Sequence, residues 1–172
     1  GSDFVTAPEM SPLFGRALAV QVRQALQACE STEIWEFGAG SGALASQLLT
    51  ELGTRVSGYH IVELSGSLRA RQGELLRPYA GLVNWHDELP ARINGVVLGN
   101  EVLDAMPVQL LTWNGSDWFE RGVVWNTDGF AWGDRPTALR PPGAHGYVAG
   151  TVVERHAQAE AIVQRLAQRM QR

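Results

Sequence analysis

A glycine-rich turn between a short apolar run and an Ala- and Leu-rich segment is the strongest constraint on the fold of this chain. Residues 34–37 form the apolar run, Gly38-Ala39-Gly40-Ser41-Gly42 follows, and Ala43–Leu52 has the composition of a helix. Glycine adopts backbone conformations that other residues avoid, so three alternating glycines predict a tight turn from a strand into a helix. Such a turn also lets the backbone and the helix N-terminus approach a ligand.

The same alternation of strand and helix repeats along the first hundred residues. Apolar residues recur every four positions from Phe14 to Leu26, which predicts an amphipathic helix ending near Ala28 and starting close to Thr6 or Ser11-Pro12. Short strand patterns occupy residues 59–62, 82–86 and 95–98, with helix composition at residues 67–77. We therefore predict an α/β fold with a doubly wound, mostly parallel sheet of Rossmann-like type.

The pattern changes after Val108. Strand-like runs at residues 108–112, 118–125 and 130–132 are separated by Asn114-Gly115 and by residues 126–129, which are typical hairpin turns. This predicts an antiparallel meander, residues 108–135, inserted into a single domain of residues 1–172. The meander holds four tryptophans, which we expect to pack between its strands and the sheet edge: Trp113, Trp118, Trp125 and Trp132. Residues 152–172 are predicted to be a closing helix.

Composition excludes several function classes. The chain has 172 residues and a net charge of -4, and all 14 basic residues are arginine, so chemistry that needs a lysine is ruled out. The arginines are scattered among 18 acidic residues, which argues against nucleic acid and membrane partners. The single Cys29 and four dispersed histidines offer no metal-ligand spacing. We expect no metal, a cytoplasmic location, and a small molecule or a protein as substrate.

Each predicted strand of the first hundred residues ends at a carboxylate. Glu36 precedes the glycine turn, Glu63 and Asp87 follow the second and third strands, and Asn100-Glu101 follows the fourth. The carboxyl ends of parallel strands meet at one edge of a sheet, where ligands bind. Taken singly, Glu36 is equally compatible with a strand-end charge, Glu63 with a helix cap and Asp87 with a turn residue. Their joint placement favours a ligand site.

Two ligands fit this pattern. Gly38, Gly40 and Ala43 satisfy the dinucleotide fingerprint, so an NAD-binding oxidoreductase is one alternative. A charge on Glu36 would repel a pyrophosphate, whereas S-adenosyl-L-methionine carries an ammonium and a sulfonium and no phosphate. We therefore favour S-adenosyl-L-methionine, with Gly38, Gly40 and Gly42 around it, Glu63 on the ribose hydroxyls and Asp87 on the adenine amino group.

Three stretches together resemble the MidA-like methyltransferases. They are residues 3–9 with Phe14-Gly15, residues 36–42, and residues 100–108. This family includes the mitochondrial complex I assembly enzyme that symmetrically dimethylates an arginine. The resemblance implies a class I methyltransferase fold, S-adenosyl-L-methionine as donor, and a protein arginine acceptor on a homologue of a complex I subunit in a bacterial cytoplasm. Many members have Pro and Arg at the positions of Ala39 and Ser41, a difference that leaves the glycines and the acid intact.

The resemblance also implies roles for individual residues. Glu101, with Asn100 and Asp104, would hold the planar guanidinium and take its proton. For Asp104 the residues themselves favour an ordinary turn instead, because it directly precedes Ala105-Met106-Pro107. Thr6 would border the cofactor. Glu9 and Phe4 would border the substrate.

Members of the family continue on both sides of the matching region, which is about half of a member. We therefore expect a partial chain that lacks the last strands of the fold, and Gly1-Ser2 is either native or a cloning remnant. Uncovered apolar residues of the closing helix, Ile162, Leu166 and Met170, would then favour a homodimer. An inactive scaffold with the methyltransferase fold is a further alternative.

Overall fold

A computed structural model describes residues 5–143 and 146–170 of the chain. They divide into two compact units, one formed by the chain up to Val102 together with Arg165 onwards, the other by Leu103–Gln164. Within the described residues, no helix has both the length and the apolar character that crossing a membrane requires.

The described part of the first unit contains a parallel sheet of four strands. They are β1 (Glu33–Phe37), β2 (Gly58–Val62), β3 (Val83–His86) and β4 (Val96–Gly99), in the order β3-β2-β1-β4. Ile34 is in register with Tyr59 on one side and with Val96 on the other. The carboxyl ends of all four strands therefore lie at one edge, which confirms the predicted α/β fold with a parallel sheet.

The helices of this unit begin close to where the sequence predicts them. They are α1 (Ala7–Met10), α2 (Pro12–Ala28), α3 (Ala43–Leu52) and α4 (Gly66–Leu75). Ser11 caps α2 by accepting from the Leu13 amide, and Pro12 occupies the first turn. Thr6 precedes α1, but its side chain makes no capping hydrogen bond. Only its carbonyl holds the turn, by accepting from the amides of Glu9 and Met10.

The core lies on one face of the parallel sheet. Ile34, Tyr59, Ile61 and Val83 point to this face and pack against α2 and α3. Each helix contributes a buried apolar stripe, from Ala19, Val22 and Leu26 in α2 and from Leu44, Ala45, Leu48, Leu49 and Leu52 in α3. Full burial of a large aliphatic side chain stabilises a fold by about 1.5–3 kcal/mol, so these stripes hold both helices on the sheet.

A glycine and a glutamine bring α2 and α3 into close contact. The Gly15 amide donates to Gln47 Oε1 at 3.0 Å, and Gln47 Nε2 donates to the Pro8 carbonyl at 2.6 Å. A Cβ atom on Gly15 would overlap the Gln47 side chain, including its Cβ. Gly15 is therefore required for this spacing, and Gln47 joins α1 to both helices.

The opposite face of the sheet carries a row of aromatic and titratable side chains. The Trp35 ring stacks on His60 with centroids 4.1 Å apart, and His60 Nδ1 lies 3.0 Å from His86 Nε2. His60 also pairs with Glu33. Burial, His60 and Arg69 lower the pKa of His86. The sequence gives no sign of this row, because its members are distant along the chain.

The second unit is built on an antiparallel sheet. Its described strands are β5 (Gln109–Trp113), β6 (Trp118–Asn126), β7 (Gly129–Pro136) and β8 (Val152–Arg155), in the order β7-β6-β5-β8. The three predicted meander strands are confirmed, although β7 extends to Pro136. Trp118 is buried as expected, whereas Trp125 and Trp132 are 73% and 63% exposed.

The prediction of a helix from Val152 is wrong at its start. Val152–Arg155 forms β8, paired antiparallel with β5, and the helix α5 covers only Ala157–Arg169. Two adjacent β-branched valines favour a strand, and the partner that fixes it lies some forty residues earlier.

We expect Gly15→Ala to lower the free energy of unfolding by about 1–3 kcal/mol, because the added methyl group overlaps Gln47 in a closely packed contact. Gly73→Ala in α4 is the matched control, since its Cβ would meet no atom within 4 Å. That substitution should be neutral or stabilise the helix by up to about 1 kcal/mol. Urea unfolding of both variants tests the contact, and equal stabilities would contradict it.

Candidate functional site

The glycine turn between β1 and α3 has a backbone that only glycine adopts readily. Gly38, Gly40 and Gly42 have φ values of +66°, +55° and +86°. The Gly42 amide donates to the Ala39 carbonyl at 2.8 Å, and Gly42 directly precedes α3. A Cβ on Gly38 would lie 2.8 Å from Val102 Cγ2, whereas one on Gly40 would meet no atom within 4 Å. The turn is tight on one side and leaves space on the other.

Glu36 is buried beneath this turn. Its side chain is 2% exposed and accepts a hydrogen bond of 2.7 Å from the Tyr59 hydroxyl. Burial raises the pKa of Glu36 to about 7, against the opposing effect of the Tyr59 hydrogen bond. The sequence predicts a charge at the mouth of the strand, whereas the structure places the carboxyl of Glu36 on the core face. A direct contact of Glu36 with the cofactor stays a prediction.

Glu63 follows β2 and is half-buried. Its Oε1 accepts from the Ser65 amide at 2.8 Å, and its backbone carbonyl accepts from Arg69 Nε at 2.7 Å. Ser65 in turn caps α4 by accepting from the Leu68 amide. Glu63 thus shapes the turn into α4, as a structural role would require. Each carboxylate oxygen has a second acceptor position, so this role leaves capacity for a ligand.

A cleft of about 510 Å³ opens at the end of β3. Asp87 lies there with its side chain 82% exposed, and its Oδ1 is 2.6 Å from Arg69 Nη2. Arg169 donates to the carbonyls of Leu89 and Pro90 and so holds the loop that forms part of the wall. The volume of the cleft falls within the range of small-ligand pockets. The lining residues are Trp85, His86, Asp87, Glu88, Leu89, Pro90 and Ala91.

Gln72 in α4 is a polar residue of this region that the sequence analysis missed. It is fully buried, and its amide contacts the Gly40 carbonyl, the Glu63 carboxylate and the Trp85 indole. A glutamine within a largely polar helix resembles any solvent-facing residue, so the sequence carries no signal for it.

Glu101 follows β4 at the same edge of the sheet. It is exposed, and its φ of +54° lies in the left-handed region, which is uncommon for a residue other than glycine. Such local strain is concentrated at functional sites. Asn100, just before it, is half-buried.

The remaining predicted site residues lie elsewhere. Asp104 belongs to the second unit, where it is exposed in a turn closed by a hydrogen bond from the Met106 amide to the Leu103 carbonyl. Thr6 directly precedes α1 and is half-buried. Glu9 lies within α1 and is exposed. Phe4 lies outside the described residues. The carboxyl edge of the parallel sheet therefore brings together the glycine turn, Glu63, Asp87 and Glu101. The contact of each predicted site residue with a ligand stays a prediction.

A parallel sheet of this order, with a glycine turn after β1 and carboxylates after β2 and β3, is common to class I methyltransferases and dinucleotide-binding domains. A family model described as S-adenosyl-L-methionine-dependent methyltransferase matches residues 14–172, and the chain belongs to this family. This agrees with the resemblance to MidA-like methyltransferases.

Relatives and solved structures give the same result. The chain is 47% identical to a COG1565 superfamily member from Burkholderia thailandensis bound to S-adenosyl-homocysteine, with a TM-score of 0.84 over 99% of this chain and 47% of that one. It is 28% identical to the protein arginine methyltransferase NDUFAF7, mitochondrial, of Danio rerio, over 99% of this chain and 49% of the relative. A homologue in Caenorhabditis elegans is also 28% identical, over 74% of this chain and 36% of the relative. The chain thus spans about half the length of these proteins, or less.

The residues present fit S-adenosyl-L-methionine, the cofactor that the family and the Burkholderia structure support. The turn offers open space above Gly40 and backbone amides at the start of α3, which suit the donor's carboxylate. Glu63 and Asp87 provide acceptors for hydroxyl and amino groups. The cleft at β3 has room for a planar base.

The buried Glu36 predicts a dependence of stability on pH. Its native pKa of about 7 exceeds the ordinary value of 4.5, so the native state binds more protons than the unfolded state between these values. The free energy of unfolding should therefore fall as the pH rises from about 5 to 7 and should level off above pH 7. This group alone should account for a fall of roughly 3 kcal/mol. Glu36→Gln keeps an acceptor for Tyr59 without a charge, so its stability should vary less with pH and exceed that of the parent at pH 8.

Thermal unfolding followed by circular dichroism from pH 5 to 8 measures this difference. Glu74→Gln, which alters an exposed glutamate of α4, serves as the control and should leave the parent profile unchanged. Parallel profiles for the parent and Glu36→Gln would show that Glu36 does not titrate in this range.

Proposed function

We propose that the protein is an S-adenosyl-L-methionine-dependent methyltransferase acting on a protein arginine, and that residues 1–172 are the donor-binding part of its domain, with residues 108–135 as an inserted meander. The observation that carries the proposal is the glycine turn with Glu63 at the end of the adjacent strand, in a chain of this family. The two relatives described as arginine methyltransferases support the acceptor.

Most of the groups proposed to bind the methyl donor lie at the ends of β1, β2 and β3. The amides at the start of α3 would hold the carboxylate of the donor, because a helix N-terminus carries partial positive charge. Glu63 would accept from the ribose hydroxyls, and Asp87, oriented by Arg69, would accept from the adenine amino group. Glu36 and Thr6 complete the proposed set. When bound, the cofactor supplies a methyl group on a positively charged sulfur.

The acceptor chemistry explains the acids after β4. A guanidinium is cationic and has no free lone pair, so its methylation requires a group that holds the planar fork and receives a proton as the new N–C bond forms. A carboxylate does both. Glu101 would take this role, with Asn100 and Asp104 assisting and with Glu9 and Phe4 on the substrate side. In-line placement of the two reactants supplies most of the acceleration.

The proposed partners are a protein substrate, such as a bacterial homologue of a complex I subunit, and a second copy of the chain. Ile162 and Leu166 are half-buried and Met170 is 46% exposed, which leaves apolar area available to a partner. The alternative of an NAD-binding oxidoreductase receives no support from the family match.

Calorimetric titration with S-adenosylhomocysteine and with NAD tests the donor site. We expect binding of the adenosyl ligand and none of NAD. Glu63→Ala should weaken binding roughly 10-fold to 100-fold, because it removes hydrogen bonds to a charged acceptor. Glu74→Ala, at an exposed position, is the control. Binding of NAD without binding of S-adenosylhomocysteine would reverse the assignment.

Glu101→Gln should separate donor binding from catalysis in the complete protein. Affinity for S-adenosylhomocysteine should stay close to that of the parent, while transfer to an arginine of the acceptor protein falls by roughly 100-fold or more, since an amide neither pairs with the cation nor takes its proton. Mass spectrometry of the acceptor measures the product. Transfer at the parental rate, or label on lysine, would remove Glu101 from this role. A complete parent protein that binds the donor but transfers no methyl group would favour an inactive scaffold.

A further inference from the structure

Gln72 is an unusual residue for its position. Among the described residues of α4, Gln72 is the one that is buried, and none of its surface is exposed. It faces the sheet, at a position where an apolar side chain is the ordinary choice. A primary amide removed from water costs free energy unless its donors and its acceptor are all paired. The contacts of Gln72 therefore decide what it does.

The amide pairs with three different segments of the sheet edge. Its Nε2 donates to the Gly40 carbonyl at 2.9 Å and to Glu63 Oε2 at 3.4 Å. Its Oε1 accepts from the indole N–H of Trp85 at 2.9 Å. Because the indole only donates and the Gly40 carbonyl only accepts, the amide has one orientation that satisfies all three. One side chain thus joins the glycine turn after β1 to the ends of β2 and β3.

These contacts of Gln72 fix the carboxylate of Glu63, which is the group proposed to bind the ribose. One oxygen of Glu63 is held by the Ser65 amide and the other by Gln72, so the plane of the carboxylate is set from both sides. The Gly42 backbone is close as well, since a Cβ there would lie 3.4 Å from Gln72 Cγ. Loss of the amide would release one oxygen of Glu63 and leave the Gly40 carbonyl and the Trp85 indole without their partner.

We propose that Gln72 is a positioning residue for the methyl donor, which acts by orienting Glu63 toward the ribose hydroxyls and by linking the glycine turn to Trp85 of β3. This inference rests on the proposed function, because it assigns Gln72 a part in the same donor site. A purely structural role would affect stability and all ligands alike. A positioning role affects the recognition of one group of the ligand.

The test compares S-adenosylhomocysteine with its 2′-deoxy analogue, which lacks one hydroxyl that Glu63 is expected to bind. In the parent chain the loss of this hydroxyl should weaken binding roughly 10-fold or more, as for a hydrogen bond to a charged acceptor. In Gln72→Met, which keeps the length of the side chain without its polar atoms, the two dissociation constants should come close to each other. Binding of S-adenosylhomocysteine should itself weaken about 10-fold.

Gln47→Met is the matched control. Gln47 is also a bridging amide with both ends paired, to Pro8 and Gly15, and it has no hydrogen bond to the glycine turn, Glu63 or Trp85 among the described residues. Its substitution should lower stability and leave the ratio of the two dissociation constants at the parental value. Circular dichroism melts establish that each variant is folded.

A second variant keeps the test decisive if Gln72→Met does not fold. Trp85→Phe retains the glutamine but removes the donor that fixes its orientation, so the same ratio should fall partway. A parental ratio in the folded Gln72 variant, or in Trp85→Phe when Gln72→Met is unfolded, overturns the positioning role. If the parent binds neither ligand, the proposed function fails, and the role of Gln72 fails with it.

Discussion

The left-handed backbone of the glycine turn is the constraint on which the first unit depends. Gly38, Gly40 and Gly42 reverse the chain within five residues, so that α3 begins directly above the end of β1. That reversal places the buried stripe of α3 on the same sheet face as Ile34 and leaves the helix N-terminus at the carboxyl edge. Packing and ligand access thus follow from one local conformation. A side chain at Gly38 would disturb both, because the turn is in contact with Val102.

Around this turn lie buried polar side chains whose hydrogen-bonding groups are paired with other groups of the protein. Glu36 accepts from Tyr59 beneath the turn, and Gln72 bonds to Gly40, Glu63 and Trp85 beside it. Buried polar groups are costly when a partner is lost, so such networks restrict each member to one geometry. Here the restriction falls on the strand ends that carry the proposed donor contacts. Rigidity at this edge is a benefit for binding, since less order must be created when a ligand arrives.

Local patterns predicted most of the first unit, because its strands and helices alternate with clear periodicity and because α2 starts at the cap and proline of Ser11-Pro12. The burial of Glu36 was also predictable in principle, since it shares a sheet face with Ile34 two residues earlier. Other features depend on partners distant in sequence. Strand β8 needs β5, the row of His60 and His86 needs three neighbouring strands, and Gln72 becomes special only when α4 is docked. No pattern within the segment itself encodes these contacts.

Trp85 gives the first unit an internal optical probe. Its indole lines the cleft at β3 while its N–H is bonded to Gln72, so its excited state senses both the polarity of the cleft and the state of the network. Trp125 and Trp132, by contrast, are largely exposed on the meander, so their indoles are surrounded mainly by water. The chain has six tryptophans, and Trp35 and Trp118 are buried, so a variant that keeps Trp85 as its single tryptophan isolates this signal.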